Sequence, residues 1–447
     1  MSAHLDSQHL RRDALAILQA ALAAADAAAA VRRHLSLDRN LLHAGPLQVS
    51  LKDFDRIFLV GAGKAAVDMA AAAETIVQDR LTGGVIVTKH GHTAAGVRSV
   101  TVIEAGHPIP DDAGVRASQA IQNLVAELNA RDLLLVVLSG GASALLSAPA
   151  EGLTLTDKQQ TTDLLLRAGA DIFELNAVRK HISRLKGGQL VALAQPATVV
   201  SLLLSDVIGD DLSIIGSGPT APDPSTFSDA ISVLTKFDLL PCVPDSIRDR
   251  LERGLAGQIP ETPKPGDPLF QNVHNIIVGS NSLALLAAAA KARELGYHPL
   301  ILSSTMQGET REVARVHARI LREAIASGNP VRAPACILSG GETTVTVRGR
   351  GKGGRNQEFA LAAALEISNL PNALIIAVGT DGTDGPTDAA GAIATGETVK
   401  RAAKLGLNAL QHLCANNSYP FFDALGDLVK TGPTGTNVMD INLLLAS

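Results

Sequence analysis

The side chains best suited to chemistry sit where apolar runs end. Gly379-Thr-Asp-Gly-Thr-Asp-Gly-Pro-Thr-Asp388 follows the apolar run 373–378 and packs three aspartates, three threonines and three glycines into ten residues. Asp381, Asp384 and Asp388 recur at near-helical spacing, but the glycines and Pro386 forbid a regular helix. Carboxylates crowded on one flexible loop either hold a hard cation through oxygen ligands or cap local amides in a turn. Two other stretches offer positive charge. Lys64 lies inside Gly61-Ala-Gly-Lys-Ala-Ala66, between an apolar run and an Ala-rich helix, where it can reach an anion at the helix N-terminus. Arg350, Lys352 and Arg355 stand among the four glycines of 349–355, a backbone nest with cations beside it. Arg355 opens a predicted helix, so its planar fork suits a carboxylate or phosphate. Asp206 ends another apolar run in Ser205-Asp-Val-Ile-Gly-Asp210. Cations on a moving phosphoryl group, carboxylates for a metal and one carboxylate on the attacking hydroxyl are the parts that phosphoryl transfer requires. For any single aspartate, a structural cap remains the alternative.

Other chemistries fit less well. Gly61-Ala-Gly-Lys-Ala-Ala66 matches the loose dinucleotide pattern G-x-G-x-x-A, yet the next strand ends in Thr88-Lys89-His90, without the acid that would grip a ribose. The chain has neither a Walker A sequence nor the protein-kinase motifs. Ser143, in Gly140-Gly-Ala-Ser-Ala-Leu145, lacks the nucleophile elbow G-x-S-x-G, although nearby glycine amides suit an anion. His90, His92 and His107 lack a third ligand at defined spacing for a transition metal. Cys242, Cys336 and Cys414 show no CxxC pairing, which argues against disulfides or zinc and for a reducing cytoplasm.

Composition narrows the partners. With 46% hydrophobic residues the core is ample, but aromatics are only 2% and tryptophan is absent, so base stacking on single-stranded nucleic acid is disfavoured. A net charge of −5 gives no general attraction for polyanions. No run of 18 apolar residues suggests a membrane span.

Apolar strands alternating with helices predict two Rossmann-like, three-layer α/β/α domains with mostly parallel sheets, ligands gathering at the strand carboxyl ends. Residues 7–34 read as one long helix, and Thr343–Arg348 as an alternating strand. Six prolines in 241–270 mark a linker between an N-terminal domain, 1–240, and a C-terminal domain, 271–447. Leu-Ser-Gly-Gly occurs at 138–141 and again at 338–341, each after an apolar run.

Taken together, the motifs resemble the glycerate 2-kinase family, whose members join an N-terminal DUF4147 domain to a C-terminal MOFRL domain. The resembling residues are Gly61–Ala65, Glu104-Ala-Gly-His-Pro-Ile-Pro-Asp111, Leu138–Leu145, Lys186-Gly-Gly188, Leu204–Asp210, Gly216-Ser-Gly-Pro-Thr220, Ser339-Gly-Gly-Glu-Thr343, Gly354-Arg-Asn-Gln-Glu358, the 379–392 stretch and Thr431–Asn437. Ala142 departs from the third glycine common at that position. The resemblance implies ATP- and Mg²⁺-dependent phosphorylation of D-glycerate at its 2-hydroxyl, in a cleft between two α/β domains. It implies that the catalytic residues Lys64 and Arg355 grip the substrate or the transferring phosphoryl group, while Asp206 or a C-terminal aspartate is expected to orient the 2-hydroxyl. His107, Ser139, Gly140, Gly141, Ser143 and Asn356 are then expected to hold substrate or phosphate, and Gly216, Gly218, Ser280, Asn281, Gly341 and Thr380 the nucleotide. Asp381 and Asp384 are expected to hold the metal. The expected partners are glycerate and ATP, with no nucleic acid, no membrane and a homodimer as the assembly. Members are often labelled hydroxypyruvate reductases, a rival NAD(P)H-dependent activity that the missing ribose-binding acid argues against.

Overall fold

The computed structural model describes residues 7–92 and 96–447, in two compact units: residues 27–278, and residues 7–26 together with 279–447. In the first unit a six-stranded sheet runs in the order Thr101–Ala105, Leu81–Lys89, Arg56–Ala62, Asp132–Leu138, Thr198–Leu204, Val273–Gly279. Pairing from Thr101–Ala105 through Thr198–Leu204 is parallel throughout. Every residue of Asp132–Leu138 is buried, as expected for a strand covered on both faces. Val60, Val85, Leu134 and Leu203 of the sheet pack with Ile121 and Val125 of the helix Asp112–Ala126. A second apolar cluster joins four helices through Leu165, Leu175, Phe227 and Ile247.

That second cluster overturns the linker expected at 241–270. The helix Asp245–Leu255 lies within this stretch, and its Ile247 and Leu251 are fully buried. Pro244 ends the preceding turn at the helix boundary, so the prolines shape turns on a packed surface rather than a tether. Three four-residue strands, Leu35–Asp38, Leu41–Ala44 and Leu47–Ser50, form an antiparallel meander. They are too short for periodicity to disclose them.

The second unit carries a six-stranded sheet in the order His298–Met306, Ala335–Gly341, Asp440–Ala446, Ala373–Gly379, Gly391–Thr395, Leu428–Val429. Only the first pair is parallel; the other four are antiparallel. The α/β character holds, but mostly parallel pairing does not extend to this sheet. The last strand of the chain enters between two earlier ones in the opposite sense, a long-range choice that local alternation cannot reveal. The helix Ser7–Ala25 packs on Asn281–Glu294 in this unit, and the expected long helix is in fact two, the second being Ala27–His34. Thr343–Arg348 forms no strand beyond a single bridge from Thr344 to Glu309. The Glu309 carboxylate instead accepts the amide and hydroxyl of Thr346.

Candidate active site

In the first unit, the parallel neighbours Arg56–Ala62 and Asp132–Leu138 deliver residues 63–65 and 139–143 to one end of the sheet. The two loops then interlock. Ser139 N donates to Ala62 O at 3.1 Å and Lys64 N to Gly140 O at 2.9 Å, while Ala65 N donates to Ser139 Oγ at 3.0 Å. Glycine is required at 63: φ is +138°, and a β-carbon would lie 2.1 Å from Ser139 Oγ.

Three expected site residues converge on the Gly140-Gly141 turn. A β-carbon on Gly140 would lie 2.3 Å from Asp206 Oδ2, and one on Gly141 3.0 Å from His107 Nε2 and 3.4 Å from Lys64 Cγ. Lys64 has no ion-pair partner among the described residues, so its ammonium is available to an anion. His107 is held down to about 4 by burial first, then by the positive fields of Lys64, Lys89 and His92. Its imidazole is therefore neutral at neutral pH. His90 pairs with Asp111 at 3.0 Å.

Ser143 heads a separate polar chain. Its Oγ lies 2.5 Å from Ser217 Oγ, and Ser217 donates to Asn176 Oδ1 at 2.8 Å. Lys186 Nζ donates to Ser143 O at 2.6 Å and to Ser143 Oγ at 3.2 Å, and Arg179 Nη2 donates to Ser143 O at 3.2 Å. Burial, with the neighbouring charges of Arg179 and Lys158, pushes the Lys186 ammonium well below its ordinary range. Gly216 (φ +58°), Ser217 (φ +65°) and Gly218 (φ +62°) form a left-handed run, so the two glycines expected at the nucleotide present Ser217 to Ser143.

In the second unit the acidic stretch bridges the antiparallel strands Ala373–Gly379 and Gly391–Thr395. Its three aspartates part ways. Asp384 is buried, and its oxygens accept the backbone amides of Asn356 at 3.0 Å and Gln357 at 2.8 Å, capping the helix Arg355–Glu366. Burial is the main cause that raises its carboxyl to about 6. Asp381 accepts from the amide and hydroxyl of Thr383 through Oδ1 alone. Asp388 is exposed and bound to Tyr419 at 2.6 Å and Lys430 at 3.0 Å.

Arg355 grips Asp440 with Nε at 2.6 Å and Nη2 at 3.0 Å, and Glu342 with Nη1 at 2.9 Å. Asn356 Nδ2 donates to the same Asp440 at 2.9 Å. Arg355 and Glu342 line a pocket of about 710 Å³ together with Asp381, Gly353 and Ser418. The neighbouring 349–355 loop is not an open anion nest. Asn416 Oδ1 accepts the amides of Arg348 and Gly349, and Asn417 Oδ1 that of Lys352. The remaining nucleotide candidates turn inward. Thr380 Oγ1 donates to Met439 O at 2.7 Å, and Asn281 Nδ2 to Val438 O and Asp440 O at 2.9 and 2.8 Å. Ser280 caps the helix Asn281–Glu294, and Gly341 (φ +139°) lets the Met306 backbone approach. Their polar groups hold loops in shape. Lys186, Arg179, Asn176, Ser217, Glu342 and Asp440 carry no spacing signal of their own, although Lys186, Ser217 and Glu342 lie inside resembling motifs.

Two α/β units with polar residues gathered at strand ends, one cationic around a neutral imidazole and one carboxylate-rich around an arginine, define an enzyme that handles small anions. Residues 13–252 match the domain of unknown function DUF4147, and residues 335–440 match the MOFRL family. The chain is 41% identical over 439 residues to a glycerate 2-kinase of Pyrococcus horikoshii, covering 98% of each. A solved glycerate kinase from Thermotoga maritima superposes with a TM-score of 0.89 at 38% identity, over 98% of this chain and 100% of that one. A relative in Agrobacterium vitis, 43% identical over 87% of each chain, is named provisionally as a hydroxypyruvate reductase. The chain belongs to the glycerate 2-kinase family, built from a DUF4147 and a MOFRL domain.

Proposed function

We propose that this chain transfers the γ-phosphoryl group of ATP to the 2-hydroxyl of D-glycerate, with a divalent cation, Mg²⁺, as the companion of the nucleotide. The observation that carries this reading is the Gly140-Gly141 turn, where Lys64, which has no ion-pair partner among the described residues, converges with a neutral His107 and Asp206. Lys64 holds anionic charge, either the carboxylate of glycerate or the phosphoryl group in flight. His107, being neutral, does not compete for that anion as a cation and can hydrogen-bond the acceptor. Asp206 orients the attacking hydroxyl and takes up its proton as the O–P bond forms.

Among the described residues no three His, Cys, Asp or Glu side chains are grouped as a protein-only metal cage. Mg²⁺ asks for less: one or two carboxylates, with water and phosphate oxygens completing the shell. Asp381 fits, since its Oδ2 has no hydrogen-bond partner among the described residues. Asp384 fits only by giving up an amide that it caps. When bound there, the cation would neutralise phosphate charge. Arg355, one edge fixed by Asp440, keeps its guanidinium aimed beside the same pocket. The reductase alternative has no such support: the strand Leu81–Lys89 ends on a lysine where a ribose would need an acid.

The test is incubation with D-glycerate, ATP and Mg²⁺, following ADP and 2-phosphoglycerate. Absence of both, together with oxidation of NADH by hydroxypyruvate, would replace the kinase by the reductase.

A further inference from the structure

The chain Lys186–Ser143–Ser217–Asn176 has a direction that its donors and acceptors fix. Asn176 meets Ser217 through Oδ1, which can only accept. Ser217 therefore spends its one hydrogen on Asn176, and the 2.5 Å contact with Ser143 requires Ser143 to donate. Ser143 Oγ in turn takes an N–H from Lys186 at 3.2 Å. Ser217, Asn176 and Lys186 are buried, and Ser143 is the half-buried end of the chain. A hydroxyl has one hydrogen and two lone pairs. With the hydrogen and one lone pair committed, what Ser143 has left for a ligand is an acceptor. Lys186 and Arg179 anchor the Ser143 carbonyl as well, so the hydroxyl does not drift.

We propose that Ser143 reads a hydroxyl of the acceptor, the 3-hydroxyl of glycerate that keeps its proton, and that Lys186 positions it for this. The inference rests on the kinase reading above. The choice of hydroxyl follows from the dead end at Asn176 Oδ1, which cannot pass a proton on. A group that must lose its proton is poorly served by this chain, while a spectator hydroxyl is well served. The chain thus selects a dihydroxy acid over a 2-hydroxy acid lacking the second hydroxyl.

The experiment compares kcat/KM for D-glycerate and D-lactate, which lacks the 3-hydroxyl, in the wild type and three variants. Ser143→Ala is expected to lower the D-glycerate value about tenfold, chiefly through KM, and to leave D-lactate within about twofold, the loss of one hydrogen bond. Ser143→Thr should restore the preference. Ser217→Ala, which frees the Ser143 hydrogen, should erode the preference while Ser143 stays in place. An equal fall for both acids in Ser143→Ala would overturn the inference and make Ser143 a general anchor. Turnover of neither acid by the wild type would instead bring down the kinase reading itself, and this inference with it.

Discussion

Gly140 and Asp206 touch only because position 140 has no side chain: a β-carbon there would lie 2.3 Å from Oδ2 of Asp206. The same turn seats His107 and Lys64 against Gly141. Gly140→Ala should therefore displace the Asp206 carboxylate by about an ångström and lower kcat on the order of 100-fold, the typical effect of such a misplacement. A far-ultraviolet spectrum like that of the wild type would place the loss in the site. Wild-type turnover by Gly140→Ala would remove Asp206 from the chemistry.

His107 gives a prediction with a sign. Its pKa in the folded chain, about 4, lies below the ordinary imidazole value of 6.5, because burial and the charges of Lys64, Lys89 and His92 disfavour the imidazolium. Between those two values the unfolded chain binds more protons than the folded one, so His107 lowers stability as pH falls from 6.5 towards 4. Nuclear magnetic resonance titration should find a midpoint near 4 for this ring, and Lys64→Met should raise it. An unchanged midpoint in Lys64→Met would mean that the two side chains do not share a field.

What could be read from the sequence followed the range of its signals. Asp132–Leu138 and Thr198–Leu204 announce themselves as uninterrupted apolar runs, and Lys64, Gly140 and Gly141 sit in short motifs whose geometry is local. Asp440 was invisible because a single acid ahead of an apolar strand has no spacing to betray it. Its partner Arg355 is 85 residues away. The 349–355 loop shows the converse. Its glycines and cations suggest an open nest, but Asn416 and Asn417, remote in sequence, already occupy its amides. Lys186 and Ser143 likewise meet across 43 residues.

The Arg355–Asp440 pair should matter to stability as well as to the pocket. Asp440 is buried while Arg355 remains one-third exposed, and Asn356 shares the same carboxylate. Asp440→Ala leaves the arginine with Glu342 alone, and the Asn356 side chain with only its longer contact to Asp384 Oδ1 at 3.3 Å. We expect a loss of about 2–3 kcal/mol in urea unfolding, below the full range for a broken buried pair because Arg355 reaches solvent. Arg355→Met with Asp440→Ala should cost less than the two single losses added together. Strict additivity would deny the coupling.

Asp384 has the opposite pH sign to His107. Burial raises its carboxyl from 3.8 to about 6, so within that window the folded chain binds the extra proton. Its contribution to stability therefore falls as pH rises from about 4 to about 6. Asp384→Asn should lower the melting temperature at every pH, since a cap on the helix Arg355–Glu366 is impaired, and should also remove this downward slope. A slope identical to that of the wild type would mean that Asp384 stays charged throughout.

Asp381 and Asp388 of the acidic stretch should separate cleanly in Mg²⁺ titrations of kcat. Asp381 has an oxygen to spare, whereas Asp388 is held on the surface by Tyr419 and Lys430. Asp381→Asn should raise the Mg²⁺ concentration for half-maximal rate by about tenfold, the lower end of what is lost with a group that supports a metal. Asp388→Asn should leave both that concentration and kcat unchanged, because its partners are exposed and such pairs contribute little. The order matters more than the size. If Asp388→Asn shifts the Mg²⁺ dependence while Asp381→Asn does not, the cation is held from the surface side of the loop, and the assignment of Asp381 falls.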